Sequence, residues 1–320
     1  MLRVGCSVFG GGEMLAVREI DSLREKSCLE LMSQALQVKL ANRGTKVALC
    51  SIINAKSGKC SEDCRFCVQS GHYATDAPVY PLKDKDAIFR GAEAAVEAGA
   101  EHFSLVTSGR GLPAPEVVKV ADIIAGIIER FPIRVCASLG ILGKEDFAIL
   151  HKAGLTRYHH NLETSEEFFP KIVTTHTFEE RVATIKAAQE EGLEVCAGGI
   201  FGLGESEGDR ISMALTLREL QVDSVPLNIL IPLAGTPLAR QKTLAAREVL
   251  RGIALYRILL PNIPIRLAAG RETALQDFLS SAFLAGADGM MIGGYLTERG
   301  RSASKDTAFV EEMKNIWRSL

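Results

Sequence analysis

The sequence predicts a single-domain α/β protein, a (β/α)8 barrel of the TIM type, on three observations. Eight short runs rich in apolar and β-branched residues recur at 47–53, 103–106, 134–138, 157–161, 194–200, 224–230, 265–268 and 289–293. Longer amphipathic stretches separate them, and no low-complexity linker interrupts the beat. Strands alternating with helices around one core make a parallel sheet, and eight such units close a barrel. An open doubly wound sheet is the competing arrangement.

The helical stretches carry their own signals. In "KDAIFRGAEAAVEAGA", Ile88, Ala92, Ala95 and Val96 fall close to one face at helical spacing. "EDFAILHKAGL" and "FEERVATIKAAQEEGL" behave alike. Their endings in AGA, AGL or EGL place glycine where a helix stops in the left-handed region. Ahead of the first strand, "REIDSLREKSCLELMSQAL" has helical periodicity. It predicts a helical extension over residues 1–44, followed by the barrel over 45–320.

Composition narrows the function classes. With 320 residues, 47% hydrophobic and 24% charged, the chain can bury a sizeable core. A formal net charge of −2 and the lack of a polybasic run give no field that would attract nucleic acid. The longest apolar candidate, 225–234, contains Asn228 and two prolines. It falls short of the roughly 18–20 residues that a spanning helix needs. The opening "MLRVGCSVFGGGEML" has no sustained apolar stretch before Glu13, so no membrane partner and a cytoplasmic location are expected. In that reducing compartment eight cysteines do not form a disulfide framework. Cys6 and Cys28 read as small buried hydrophobes.

The stretch "CSEDCRFC" stands apart, with Cys60, Cys64 and Cys67 in C-x₃-C-x₂-C spacing just after the first strand. Barrel chemistry gathers at the carboxyl ends of strands, so this loop belongs at the catalytic mouth. Thiolates are the soft ligands of iron–sulfur clusters, and three of them leave one iron of a 4Fe–4S cubane free. A structural zinc site wants four ligands, and the nearest further candidate, His72, has no partner beside it. A second landmark is "GGIFGLGE", Gly198 to Glu205, whose glycines admit a close backbone approach to a planar ligand or simply turn a tight barrel corner.

The cysteine spacing together with the G-x-I-x-G-x-x-E pattern resembles the radical S-adenosylmethionine superfamily. The resemblance implies that S-adenosylmethionine fills the open iron position with its amino and carboxylate groups. It also implies that Phe66 lies beside the adenine and that Gly198, Gly199, Ile200, Gly202 and Glu205 line the cofactor pocket. "SIINAKSGKCSEDCRFC", "YHHNLETS", "IVTTHTFEERVATI", "SVPLNILIPLAGTPLA" and "IRLAAGRE" resemble the biotin synthase family, from about residue 45 to about 295. This implies insertion of sulfur between C6 and C9 of dethiobiotin, with two S-adenosylmethionine consumed. It further implies a flavodoxin or ferredoxin as electron donor, a homodimer, and an auxiliary cluster as sulfur donor, usually a 2Fe–2S centre held by three Cys and one Arg. The hydrogenase maturase that resembles biotin synthase, methylornithine synthase and a non-catalytic iron–sulfur protein are the alternatives.

The resemblance carries Cys136, Cys196 and Arg266 over as auxiliary ligands; each cysteine alone could equally be a packed strand residue. The family's remaining auxiliary cysteine belongs in the second strand, where this chain has Ser104. Cys50, in the first strand, is the candidate replacement, sharing a face with Ile52 and Asn54 through strand alternation. A changed ligand set puts the 2Fe–2S assignment in doubt and allows a larger four-iron centre. Asn161 matches a substrate contact, and Glu163, where the family commonly has Asp, matches the cofactor ribose contact. Arg181 matches the cofactor carboxylate contact, with a solvated helix face as its rival. Asn228 matches a contact to the ureido ring. His102, His159 and His160 are left as polar packing.

Overall fold

The computed structural model describes residues 17–293 and 300–318; Cys6 lies outside them. Nine strands carry the fold: β1 (Ala48–Lys56), β2 (His102–Thr107), β3 (Arg134–Ser138), β4 (Arg157–His159), β5 (Glu194–Cys196), β6 (Gly199–Phe201), β7 (Val225–Ile229), β8 (Ile265–Leu267) and β9 (Gly289–Met291). All pair in parallel, in the order β5-β4-β3-β2-β1-β9-β8-β7-β6. The two end segments are one physical strand, interrupted only at Ala197 and Gly198. It pairs with β4 on one side and reaches β7 on the other, where Cys196 bridges Ser224. The sheet therefore curls round on itself, and the predicted fifth strand, 194–200, is present but broken.

Gly198 explains the break. A Cβ there would stand 1.9 Å from the Pro226 carbonyl oxygen, so backbone occupies the space that a side chain would need. At Gly199 the same atom would lie 2.4 Å from the Glu163 carbonyl oxygen. The strand can pass between β4 and β7 only without side chains at these two positions.

The helices are α1 (Val17–Glu25), α2 (Cys28–Asn42), α3 (Lys85–Glu97), α4 (Ala114–Arg130), α5 (Lys144–Lys152), α6 (Phe178–Glu190), α7 (Glu207–Glu219), α8 (Ala246–Leu259), α9 (Arg271–Leu275), α10 (Leu279–Leu284) and α11 (Ala303–Trp317). Their starts follow capping chemistry. Ser27 and Glu30 form a reciprocal capping box that separates α1 from α2, and Thr177 with Glu180 does the same for α6. Gly192, at φ +80°, ends α6 in the left-handed region. The face that α4 turns to the core holds Val117, Val120, Ile124 and Ile127, all buried, at i, i+3, i+7 and i+10.

Buried charge ties the amino-terminal helices to the barrel floor. Asp288, just before β9, accepts from Arg257 of α8, while Lys39 Nζ of α2 lies 3.6 Å from its Oδ1. Lys39 also donates to the Ala287 carbonyl. Cys28, at the start of α2, is half-buried, with its Sγ 3.6 Å from the Arg247 carbonyl oxygen. Among the described residues no helix is long and apolar enough to cross a membrane.

Candidate active site

One cavity of about 340 Å³ opens at the carboxyl ends of the strands. Its upper wall is the loop after β1. That loop doubles back on itself: Cys60 N donates to Gln69 O at 2.9 Å and Gly71 N donates to Cys60 O at 2.7 Å. A turn from Cys67 N to Cys64 O, 3.0 Å, brings the last two cysteines together. Cys60, Cys64, Phe66 and Cys67 all line the cavity.

Side chains between the cysteines anchor the loop. The Glu62 carboxylate is buried and accepts from Thr175 Oγ1 at 2.7 Å and His176 Nδ1 at 2.5 Å. Asp63 Oδ1 accepts from the backbone amides of Thr174 and Thr175 at 2.9 and 3.2 Å. Glu62 and Asp63, the acidic pair between the first two cysteines, are thus the clamps that fix the loop. His72 instead contacts the Ser61 carbonyl oxygen at 2.9 Å and braces the loop from outside.

Burial pushes the Cys67 thiol up to about 11 and Cys64 higher still, with neighbouring thiols adding to both shifts. Iron would remove those protons, since coordination to a cation favours thiolate. Among the described residues no three His, Cys, Asp or Glu side chains close around a single ion. A cluster spreads its ligands over separate irons and does not need them to meet at one point. Three soft donors on one cavity wall fit a cubane with an open corner.

Beside the loop, Glu163 holds a left-handed backbone at φ +69°, a sparsely populated state for a residue with a side chain. Its Oε2 accepts from Asn161 Nδ2 at 3.3 Å, and Arg181 Nη1 lies 4.0 Å from its Oε1. Burial raises the Glu163 pKa against the lowering pull of Arg181 and Asn161. Arg181 Nη1 also donates to the Asn161 carbonyl at 2.8 Å, while its Nε and His176 Nε2 are buried without partners among the described residues. All four side chains line the cavity, leaving unused donors and an acceptor for a charged, hydroxyl-bearing ligand.

The remaining glycine-motif residues have other tasks. Ile200 lines the cavity, whereas Gly198 and Gly199 serve the barrel corner. Gly202 N donates to Glu205 Oε1 at 2.8 Å, and that same oxygen accepts from Arg210 Nε at 2.6 Å. Close backbone approach does occur at this motif, from Glu163 just beyond β4 and from Pro226 of β7. Asn228 lines the cavity with Oδ1 accepting from Ala269 N at 3.1 Å and Nδ2 donating to Gly199 O at 3.3 Å. One lone pair and one N–H of that amide stay free.

At the cavity floor, Arg266 Nη1 lies 2.7 Å from Cys50 Sγ, and Arg266 Nε donates to Ser224 Oγ at 3.0 Å. Cys50, Cys196, Arg157 and Arg266 share the cavity lining. Cys136 is fully buried in β3 and lies outside that lining, in register with Ser104 of β2 and Arg157 of β4. Ser104 Oγ is buried without a partner among the described residues. Burial raises the Cys50 and Cys196 thiols, opposed by the neighbouring guanidinium groups. Inward-facing thiols beside a guanidinium and an orphaned hydroxyl fit a second iron–sulfur centre. His102 and Arg157 were missed as part of this floor. Alternation was the available signal, because His102 shares a face with Ser104, and Arg157 with His159 and Asn161.

A parallel α/β barrel with three cysteines on the loop after its first strand, facing a buried polar cavity, defines a radical S-adenosylmethionine protein. The family model for the Radical SAM superfamily matches residues 55–217, and that for the Biotin and Thiamin Synthesis associated domain matches 226–315. The chain belongs to the biotin synthase family. It is 51% identical to the biotin synthase of Pelotomaculum thermopropionicum, over 94% of this chain and 93% of the relative. With that of Thermotoga petrophila it shares 47% identity, over 92% of this chain and all of the relative. Among solved structures, methylornithine synthase (PylB) superposes with a TM-score of 0.80 at 20% identity, covering 95% of this chain and 94% of that one. The hydrogenase maturase HydG from Carboxydothermus hydrogenoformans gives 0.78 at 19% identity, covering 92% and 73%. These two share the fold.

Proposed function

We propose that this protein inserts sulfur between C6 and C9 of dethiobiotin, using one S-adenosylmethionine for each of the two C–H bonds broken. The observation that carries this reading is the placement of two thiol groups on one cavity. Cys60, Cys64 and Cys67 bound its mouth, and Cys50, Cys196 and Arg266 bound its floor. When bound, the 4Fe–4S cluster supplies one electron for S–C5′ cleavage, and the auxiliary iron–sulfur centre supplies the inserted sulfur.

The chain's own residues bind, orient and exclude water. Glu163 accepts from the ribose hydroxyls, assisted by Asn161, and Arg181 presents paired donors to the methionine carboxylate. Phe66 offers its ring to the adenine. Asn228 gives its free N–H and lone pair to the ureido group, which has the complementary acceptor and donor. Ile52, Val106, Ile200 and Met291 give the cavity apolar walls, which shelter a carbon radical from solvent.

Cys50, Cys136 and Cys196, with Arg266 as ligand or close neighbour, are assigned to the auxiliary centre. This set accommodates a four-iron centre as well as the 2Fe–2S type, and Mössbauer spectra with iron and sulfide counts distinguish them. A flavodoxin or ferredoxin donor, a homodimer and a cytoplasmic location rest on the family resemblance. Anaerobically reconstituted protein given dethiobiotin, S-adenosylmethionine and reductant is expected to yield biotin with 5′-deoxyadenosine. Deoxyadenosine without biotin overturns the reading in favour of a radical enzyme that transfers no sulfur.

A further inference from the structure

A second cavity, of about 160 Å³, lies at the opposite end of the barrel, among residues at or just before the starts of the strands. Ala48 begins β1, His102 begins β2, Arg134 begins β3 and Arg157 begins β4. Five cationic side chains line it: Arg43, Lys46, Arg134, Arg157 and Arg266. Glu101 and Asp288 line it beside them, and Glu194, outside the lining, accepts from Arg157 Nε and Nη2 at 2.9 and 2.6 Å; all three carboxylates are engaged. Glu101 pairs with Lys46 at 3.1 Å, while Asp288 is shared by Arg257, Lys39 and Arg43. The guanidinium of Arg134 has no carboxylate partner among the described residues. The pocket therefore keeps an uncompensated positive charge.

An independent observation points to a ligand. His102 is 5% exposed, and neither of its ring nitrogens has a hydrogen-bond partner among the described residues. A buried imidazole with both nitrogens unsatisfied costs free energy unless something else occupies them. His102, Arg157 and Arg266 line this pocket and the active cavity alike, so they form the partition between the two. Cys50 is in register with His102 and in contact with Arg266.

We propose that the basal pocket is a binding site for a small inorganic anion, and that in the working protein this anion is hydrosulfide bound for the auxiliary centre. The identification of hydrosulfide rests on the sulfur-inserting reading above; the anion site itself does not. A reaction that removes sulfur from inside the barrel needs a source to restore it. The mouth is taken up by substrate and cofactor, whereas the floor presents a positive field that concentrates anions. Binding here moves an ion and makes or breaks no bond.

Two measurements test this. Crystals of the reconstituted protein soaked in bromide, a monovalent anion of similar size, are expected to show an anomalous peak bounded by His102, Arg134 and Arg157. That peak should vanish in Arg134→Glu and return in Arg134→Lys. A wild-type pocket without bromide overturns the anion site whatever the enzyme does. In the second, protein that has completed one turnover is given isotopically labelled sulfide, and protein-bound acid-labile sulfide is followed. At limiting sulfide, Arg134→Glu is expected to take up label about tenfold more slowly than wild type, the loss expected when a focusing charge is reversed. Equal rates overturn the delivery role. Wild-type protein that makes no biotin overturns the sulfur-inserting reading and the hydrosulfide assignment with it, while the bromide experiment still decides the site.

Discussion

Arg266 Nη1 and Cys50 Sγ lie 2.7 Å apart although 216 residues separate them in the chain. The contact joins β8 to β1 across β9 and puts a cationic donor against a buried thiol at the floor of the cavity. Burial raises the Cys50 thiol and the guanidinium opposes that rise, so Arg266 supplies part of the stabilisation that a thiolate ligand of the proposed auxiliary centre would need.

Cys50→Ser is therefore expected to lose the auxiliary centre and keep the loop cluster. Iron and sulfide counts should fall by the auxiliary complement. Deoxyadenosine should still form under strong reduction, with biotin lost. Unchanged auxiliary spectra in this variant would falsify the ligand assignment.

Glu62 holds the cysteine loop to residues 174–176 through buried hydrogen bonds. Supporting groups of this kind are worth about 10–100-fold in metal affinity. Glu62→Gln should release iron to a chelator about tenfold faster, as followed by absorbance. The circular dichroism spectrum should remain that of the folded chain.

In the proposed reading the Glu163 carboxylate accepts from the ribose hydroxyls through both oxygens, and protonation would turn one of those acceptors into a donor. Burial raises its pKa, so as pH falls it protonates before an exposed glutamate does. Affinity for S-adenosylmethionine should weaken with falling pH, at a midpoint above the ordinary carboxylate range. Glu163→Gln should bind about tenfold more weakly and show no such midpoint. Isothermal titration across pH checks both.

Lys39 is buried, and its pKa is pushed down from 10.5 to about 8 by desolvation, opposed by Asp288. Between those values the unfolded chain binds more protons than the folded one, so the lysine's contribution to stability rises with pH through that window. Below it the buried charge costs up to about 3 kcal/mol. Lys39→Met should gain stability over wild type below pH 8, and the gain should shrink towards pH 10.5. Paired urea unfolding curves at several pH values read it directly.

Gly198→Ala would drive a methyl group into the Pro226 carbonyl and force β6 away from β7. A loss of about 3 kcal/mol is expected, again by urea unfolding. A loss in cofactor affinity at unchanged stability would assign the glycine to the ligand instead.

The barrel was legible because its signals are local. Alternating apolar runs, reciprocal caps such as Thr177 with Glu180, and glycine stops such as Gly192 each declare themselves within a few residues. The cysteine loop was legible for the same reason. What the sequence hid was long-range. Nothing local marks Glu62 as a clamp on Thr175 and His176, more than 110 residues away. The floor residues His102 and Arg157 carried a signal through alternation, but their meaning depends on which neighbours the register brings. The glycine motif was readable as a close approach, but not which backbones come close at Gly198 and Gly199, those of Pro226 and Glu163.

The pairing of β1 with both β2 and β9 fixes when this protein can be completed. Ala48, Leu49 and Cys50 wait for Gly289, Met290 and Met291, which leave the ribosome roughly 240 residues later. At about 5–20 residues per second that is roughly 10–50 s of translation during which one edge of β1 is unpaired. Assembly of the proposed auxiliary centre at the floor would therefore be a task for the finished polypeptide. A cell that makes this protein faster than it can supply iron and sulfide would accumulate closed barrels with empty interiors.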